Sequence, residues 1–268
     1  MHVLVTGAAG SIGSVVCPGL VDRGHTVSGL DLVPEPDGFT GRWFTVDCAD
    51  PDAVEAVFDA LPGLDAVVHL AGNPSEAALP EELTSHVVTT AVLLDAMVAH
   101  DVSRIVYASS NHAVGRTPRG DTVLDVRVRH RPDTFYGVGK VAAEGLLSLY
   151  VDRYGVDAVA TRIGSFLAAP ESRRALSTWL SHDDAVRMFH ACLTAPDPGF
   201  AVVYGVSANT RGWWDLEPGK ALGYHPEDDA VRFAGDVPDD PERDAAEDAY
   251  VGGPMALEPY FRPALDRS

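Results

Sequence analysis

The chain has 268 residues, nearly half of them apolar, and a formal net charge of −19. Apolar material spread along this length suffices for one large body or two small ones and excludes a disordered chain. So acidic a surface repels nucleic acid and anionic membranes, which excludes both as expected partners, and any anion site needs local cations.

Strand and helix patterns alternate from the start. Residues 3–6 read as a buried strand and 11–23 as a helix. A second strand over 26–30 ends at Asp31, and a third over 43–46 ends at Asp47. Residues 51–60 are helical, 65–70 form a fourth strand, 81–100 carry a long helical pattern, and 103–108 form a fifth strand. Short continuous apolar runs fit strands covered on both faces, and their alternation with helices predicts a doubly wound parallel α/β sheet with right-handed crossovers. A loop of about 25 residues follows, rich in Arg, Pro, Asp and His, and so long an irregular stretch inside a folded body marks function. A helix over 134–154 and a strand over 156–163 come next. After Gly164 the pattern loosens into a helix near 183–194, a strand at 201–206 and a helix near 213–222. Between Glu227 and Asp248 stand ten acidic residues and two arginines, which read as a solvated face or loose tail. The predicted architecture is a Rossmann domain over residues 1–164 with a small C-terminal substrate cap, residues 165–268, packed on it as one unit.

The cysteines, Cys17, Cys48 and Cys192, form no CxxC pair and no metal-ligand spacing. A reduced cytoplasmic protein without a metal is the simplest reading. His2-Val3-Leu4-Val5 runs straight into a glycine-rich turn, which leaves no room for a leader, and no apolar run approaches the roughly 20 residues that span a membrane.

Thr6-Gly7-Ala8-Ala9-Gly10-Ser11-Ile12-Gly13 lies between the first strand and the first helix. Glycines there permit a tight turn and a close approach of a pyrophosphate, and the helix N-terminus offers free N–H groups. Asp31 can accept bonds from an adenosine ribose and would repel a 2′-phosphate, which favours NAD over NADP. Asp47, with Cys48 beside it, is placed for the adenine amino group. Leu70, Ala71 and Gly72 end the fourth strand and let backbone pass close to the cofactor.

Tyr136 and Lys140 stand four apart on a helix, so both side chains share one face. A free phenol has a pKa of about 10, too high for a base near neutrality. A neighbouring ammonium, with a cationic nicotinamide, is expected to lower it. Ser110, at the end of the fifth strand, can hydrogen-bond the reacting oxygen. No nucleophile elbow, HExxH or Walker motif is present, and His69, inside an apolar strand, reads as a core histidine.

The TGxxGxxG turn at Gly7–Gly13, Ser110 and Tyr136-x-x-x-Lys140 together resemble the extended short-chain dehydrogenase/reductases over roughly residues 1–210. Longer strings resemble the uronate dehydrogenases among them. These include Ser109-Ser110-Asn111-His112, Arg131-Pro132-Asp133, Arg162-Ile163-Gly164-Ser165, Ser177-Thr178-Trp179-Leu180-Ser181-His182-Asp183-Asp184 and Trp213-Trp214-Asp215. The resemblance implies oxidation of C1 of a hexuronic acid, glucuronate or galacturonate, to an aldarolactone with NAD, and a homo-oligomer is expected. It also implies Tyr136 as base, Lys140 as activator and Ser110 as the group holding the oxygen. Ser75, Asn111, His112 and Ser165 would meet the sugar, and Arg174 would clamp the carboxylate, with Arg173 as rival. A guanidinium suits a carboxylate because it binds in a bidentate manner. Three positions depart from the pattern: His86 replaces the usual Asn, Gly139 a frequent Ser, and Asn73-Pro74-Ser75 differs locally. Only about 100 residues follow Gly164, too few for a large nucleotide-sugar domain, so a small free sugar is expected. A dehydrogenase of another aldose, neutral or phosphorylated, is the alternative, and a sugar epimerase comes after it.

Overall fold

The computed structural model describes residues 1–120 and 122–265; Asp121 of the long loop lies outside the described residues. β1 (His2–Thr6) leads to α1 (Gly13–Asp22), β2 (Thr26–Asp31), β3 (Trp43–Thr45), α2 (Pro51–Asp59) and β4 (Ala66–His69). Then α3 (Leu79–Leu83), a π-turn over Thr84–Val88 and α4 (Thr89–Ala99) form one continuous helix ahead of β5 (Arg104–Ser110). α5 (Phe135–Tyr154), β6 (Asp157–Ile163), β7 (Ser165–Phe166), α6 (Ala175–Thr178) and β8 (Trp179–Leu180) follow. α7 (His182–Thr194), β9 (Phe200–Gly205), α8 (Glu217–Ala221) and α9 (Pro241–Asp248) complete the regular elements.

Seven strands form one sheet in the order β3-β2-β1-β4-β5-β6-β9, every pair parallel. Strand order reverses between β1 and β4. The two chain crossovers leave in opposite directions there, and a crevice opens beyond the carboxyl ends of the strands. Helices cover both faces. Val3, Val5 and Val68 pack with Val16 and Leu20 of α1 and with Met188 and Phe189 of α7. Leu4, Val67 and Ile105 point the other way, onto Phe58 of α2, Leu93 and Met97 of α4 and Leu147 of α5. Alternate residues of one strand therefore serve two cores, which is why the strands read as unbroken apolar runs.

Four expectations are revised. The helix over Leu79–Ala99 is long and apolar enough to cross a membrane, whereas no such run was expected. It is a core helix: Leu93, Leu94 and Met97 are fully buried between the sheet and its neighbouring helices. A helix covered on several sides is apolar around most of its circumference. α1 starts at Gly13, because residues 7–12 are spent on the turn before it. Of the helix near 213–222 only Glu217–Ala221 forms, since Trp213 and Trp214 stack on each other at 3.8 Å and Trp214 pairs with Leu124 of the long loop. The acidic stretch is not a loose tail. It carries α9, and Ala230, Val237 and Val251 are buried, because widely spaced apolar side chains anchor it while most of the acids form a solvated face; Glu247, the exception, is buried and paired with Arg243.

One buried charge cluster ties the long loop to the sheet. Arg162 of β6 binds both carboxylate oxygens of Glu144 on α5, at 3.0 and 2.8 Å. Ser109 donates to the same carboxylate at 2.6 Å, while Arg162 also donates to the Val126 carbonyl in the loop. Burial by itself raises the Glu144 carboxyl, but hydrogen bonds with His130, Arg162 and Ser109 and the guanidinium charge outweigh it and hold it down at about 2. The stability this carboxylate contributes is complete above its ordinary value of 4.5 and is lost as the pH falls from there toward 2. Replacing Glu144 with Gln leaves the guanidinium without its counter-charge, and urea unfolding at pH 7 should show a loss of about 3–5 kcal/mol. The variant should also lack the part of the acid destabilisation that this carboxylate causes in the wild type.

Candidate functional site

The β1–α1 turn is shaped by glycines that have no substitute. Gly7 adopts φ +67°, and a Cβ there would sit 2.7 Å from the Ala71 amide nitrogen. A Cβ at Gly13 would lie 2.4 Å from the Gly7 carbonyl oxygen. The turn is thereby pressed against the end of β4 with no side chain between. No side chain caps the N-terminus of α1; the Ser14 and Val15 amides are taken by the Gly10 and Ile12 carbonyls, which leaves those of Ser11, Ile12 and Gly13 for an anion. Asp31, at the end of β2, accepts from the Ala9 amide at 2.9 Å and from Leu32 at 2.7 Å, which fixes its carboxylate beside the turn.

A cleft of about 910 Å³ runs from this turn across the sheet edge. Gly7, Gly10, Ser11, Ile12, Gly13, Asp31, Asp47, Cys48, Leu70, Ala71 and Gly72 line one part of it, and Ser110, Tyr136 and Lys140 line the other. Cys48 is a buried filler, its thiol pushed up to about 12 by burial. His69 is a core histidine. It hydrogen-bonds Thr6 at 2.8 Å and is fully buried, and burial, then Lys140, lowers its pKa to about 3.

Burial dominates the electrostatics of the Tyr136–Lys140 pair. Lys140 is 5% exposed, donates to the Ala108 carbonyl at 2.8 Å and sits 5.3 Å from the Tyr136 ring centroid. Burial lowers its pKa to about 7, against the opposing influence of Glu82 and Glu144. Burial raises the Tyr136 phenol to about 12, the Ser110 hydrogen bond opposing and Glu82 and Asp133 adding to the rise. The ammonium alone therefore does not acidify the phenol. Desolvation works against the charged form of each partner and is the largest influence on both.

The remaining sequence candidates lie outside the lining of this cleft. Asn111 is buried and donates to the Val251 carbonyl at 3.4 Å, the same oxygen that Arg174 reaches at 2.7 Å. His112 is paired with Asp133 at 2.9 Å, and its ring stands 5.8 Å from that of Tyr136. Ser165 shares a hydrogen bond with Thr178 at 2.8 Å. Ser75 is exposed, its amide donating to the Asn73 side chain. Arg173, the rival cation, is spent on surface ion pairs with Asp239 and Asp244.

Sequence reasoning missed Glu76. Its two carboxylate oxygens accept from the amides of Phe135 and Tyr136, each at 2.9 Å, while Thr134 accepts from Gly137 at 2.9 Å. The first turn of α5 is thus fully capped around the tyrosine. Thr134 is legible as a helix cap, but nothing local links Glu76 to amides 59 and 60 residues away.

The model of the NAD dependent epimerase/dehydratase family matches residues 3–182. The chain is similar to the uronate dehydrogenase of Agrobacterium fabrum, 38% identical over 97% of this chain and 98% of that one. It is also similar to the uronate dehydrogenase of Pseudomonas putida, 36% identical over 97% of each. The crystal structure of the uronate dehydrogenase from Agrobacterium tumefaciens superposes with a TM-score of 0.88 at 37% identity, covering 98% of both chains. A tyrosine-to-alanine variant of that enzyme complexed with NAD superposes with the same TM-score.

Removing the Glu76 cap should loosen the first turn of α5. For Glu76→Ala, thermal or urea unfolding should report a loss of about 1–2 kcal/mol. Turnover should fall more than this stability change explains, because the tyrosine backbone is one of the two groups released.

Proposed function

The chain belongs to the NAD dependent epimerase/dehydratase family, and from that membership we propose that it oxidises C1 of a hexuronic acid to the aldarolactone with NAD. The observation that carries this reading is one cleft lined both by a glycine turn with Asp31 and by Ser110, Tyr136 and Lys140. Its residues fit a dinucleotide. Gly7 and Gly13 leave no room for a Cβ, and the uncapped start of α1 suits a pyrophosphate. Gly7, Gly10, Ser11, Ile12 and Gly13 would hold that group, Asp31 the adenosine ribose, Asp47 and Cys48 the adenine edge. Leu70, Ala71 and Gly72 would pass beneath. In this reading residues 1–164 bind the nucleotide and residues 165–268 add contacts to the sugar.

Bound NAD supplies the hydride acceptor and, when oxidised, a positive charge. Tyr136 takes the proton of the C1 hydroxyl, and Ser110 holds that oxygen while C1 gives up its hydride. Positive charge beside a buried phenol favours its ionised form, which burial alone opposes. Lys140 would hold the nicotinamide ribose and add to that charge. Asn111, His112, Ser165 and Ser75 would orient the ring hydroxyls. Arg174 would receive the carboxylate. Its Nη2 donates to the Val251 carbonyl and its Nε is packed against Gly253, so the carboxylate would be met by the remaining Nη hydrogens. Cys17, Cys48 and Cys192 are free and buried, which supports a reducing cytoplasmic setting.

Glucuronate, galacturonate, glucose, glucose 6-phosphate and arabinose, each offered with NAD and followed by NADH absorbance, test the substrate. The uronates should give the highest kcat/KM, and a neutral or phosphorylated aldose turned over faster would overturn the reading. Tyr136→Phe should abolish turnover while calorimetry shows NAD still bound. Arg174→Ala should raise KM for the uronate about 10-fold to 100-fold, the loss of a charge-assisted contact, with little change in NAD affinity.

A further inference from the structure

Beside the Tyr136–Lys140 centre lies a second buried ionisable pair that the mechanism above does not use. Glu82 on α3 is fully buried, and His86, in the π-turn that follows, is 1% exposed. Their side chains approach to 3.1 Å, and neither His86 nitrogen nor Glu82 Oε2 has a hydrogen-bond partner of good geometry among the described residues. A π-turn shifts the helical register locally, and such turns concentrate at functional sites. In this one the imidazole is buried against Gly72, Gly139 and the Tyr136 ring.

The imidazole is seated in a slot made by two glycines. A Cβ at Gly72 would lie 2.7 Å from His86 Cε1 and Nδ1, and a Cβ at Gly139 would lie 3.0 Å from His86 Cδ2. Gly72 lines the cofactor cleft and Gly139 immediately precedes Lys140. The ring packs edge-to-face on Tyr136, with centroids 5.1 Å apart and planes at 82°. His86 and Gly139, two separate departures in the sequence, are thus one steric feature: the larger ring fits because the helix facing it carries no side chain.

Glu82 is held from the other side. The Ala77 amide donates to its Oε1 at 2.7 Å, and the Asn73 amide group reaches the same oxygen at 3.4 Å. The charged or titratable groups around it are Glu76 in the preceding loop, Glu81 on its own helix, His86, and Lys140 on α5. Lys140 in turn meets Glu82, Glu144 and the rings of Tyr107 and Tyr136, and His86 meets Lys140 and His69. Burial raises the Glu82 carboxyl itself to about 7, the Ala77 amide opposing, so near neutrality it offsets only in part the burial that drives Lys140 toward its neutral form.

We propose that His86, wedged between Gly72 and Gly139 and held by Glu82 at 3.1 Å, is a positioning residue of the catalytic centre that fixes the Tyr136 ring. The proposal rests on the assignment of Tyr136 to the chemistry, but part of its test does not need turnover.

The wedge is tested by a cycle of His86→Asn, Gly139→Ser and the double variant. Each single change should lower Tm and cut kcat about 10-fold to 100-fold, with the sugar KM nearly unchanged. The double variant should recover most of the Tm lost by Gly139→Ser, because the added side chain then occupies the space the imidazole left. Strictly additive losses overturn the wedge. Should no sugar of the panel be oxidised, the functional reading fails, while the Tm cycle still decides this proposal.

Discussion

The structure turns on an ammonium group buried where the sheet ends. Removing a charge from water is expensive, and Lys140 offsets that cost with the Ala108 carbonyl, the faces of Tyr107 and Tyr136, and two carboxylates at a distance. The balance is close, since its pKa settles at about 7. The phenol beside it is driven the opposite way by the same desolvation. Both groups thus sit poised for the arrival of a third charge, the arrangement expected where an ionisation is coupled to ligand binding.

Such a centre demands a rigid frame, and the fold supplies one from distant parts of the chain. The helix carrying Tyr136 and Lys140 is capped by Thr134 from just before it and by Glu76 from the loop after β4. Its far side is pinned to β6 through Glu144 and Arg162. The Arg162 guanidinium also grips the long loop at Val126, so loop, helix and sheet share one buried ion cluster. A one-residue shift in any of them would move the tyrosine relative to the cleft.

The C-terminal residues pack against the segment that follows β5. Val251, in the segment after α9, offers its carbonyl to both Asn111 and Arg174. Asp133, paired with His112, fits only because Gly115 and Gly252 face it without side chains. The acidic surface and the buried anchors of this region are compatible because they mostly occupy different residues: most of the acids face water while Val237, Val251 and Ala256 pack inward.

The sequence by itself determined the parts governed by local chemistry. Alternating apolar runs and helices specified the parallel sheet, and the glycine turn, Asp31, Ser110 and the Tyr136–Lys140 spacing were legible because each needs only its neighbours in the chain. The cap was harder to read, because its anchors are single apolar residues among acids and its short elements depend on long-range contacts. Only the tertiary structure decided the rest. It set Glu76 under the amides of α5, brought Glu82 and His86 against the tyrosine, and turned Arg174 toward Val251. It also set the starting point of the phenol, raised by burial before any cofactor charge is added, because ionisation depends on solvent exclusion by residues far apart in sequence, and no spacing rule records burial.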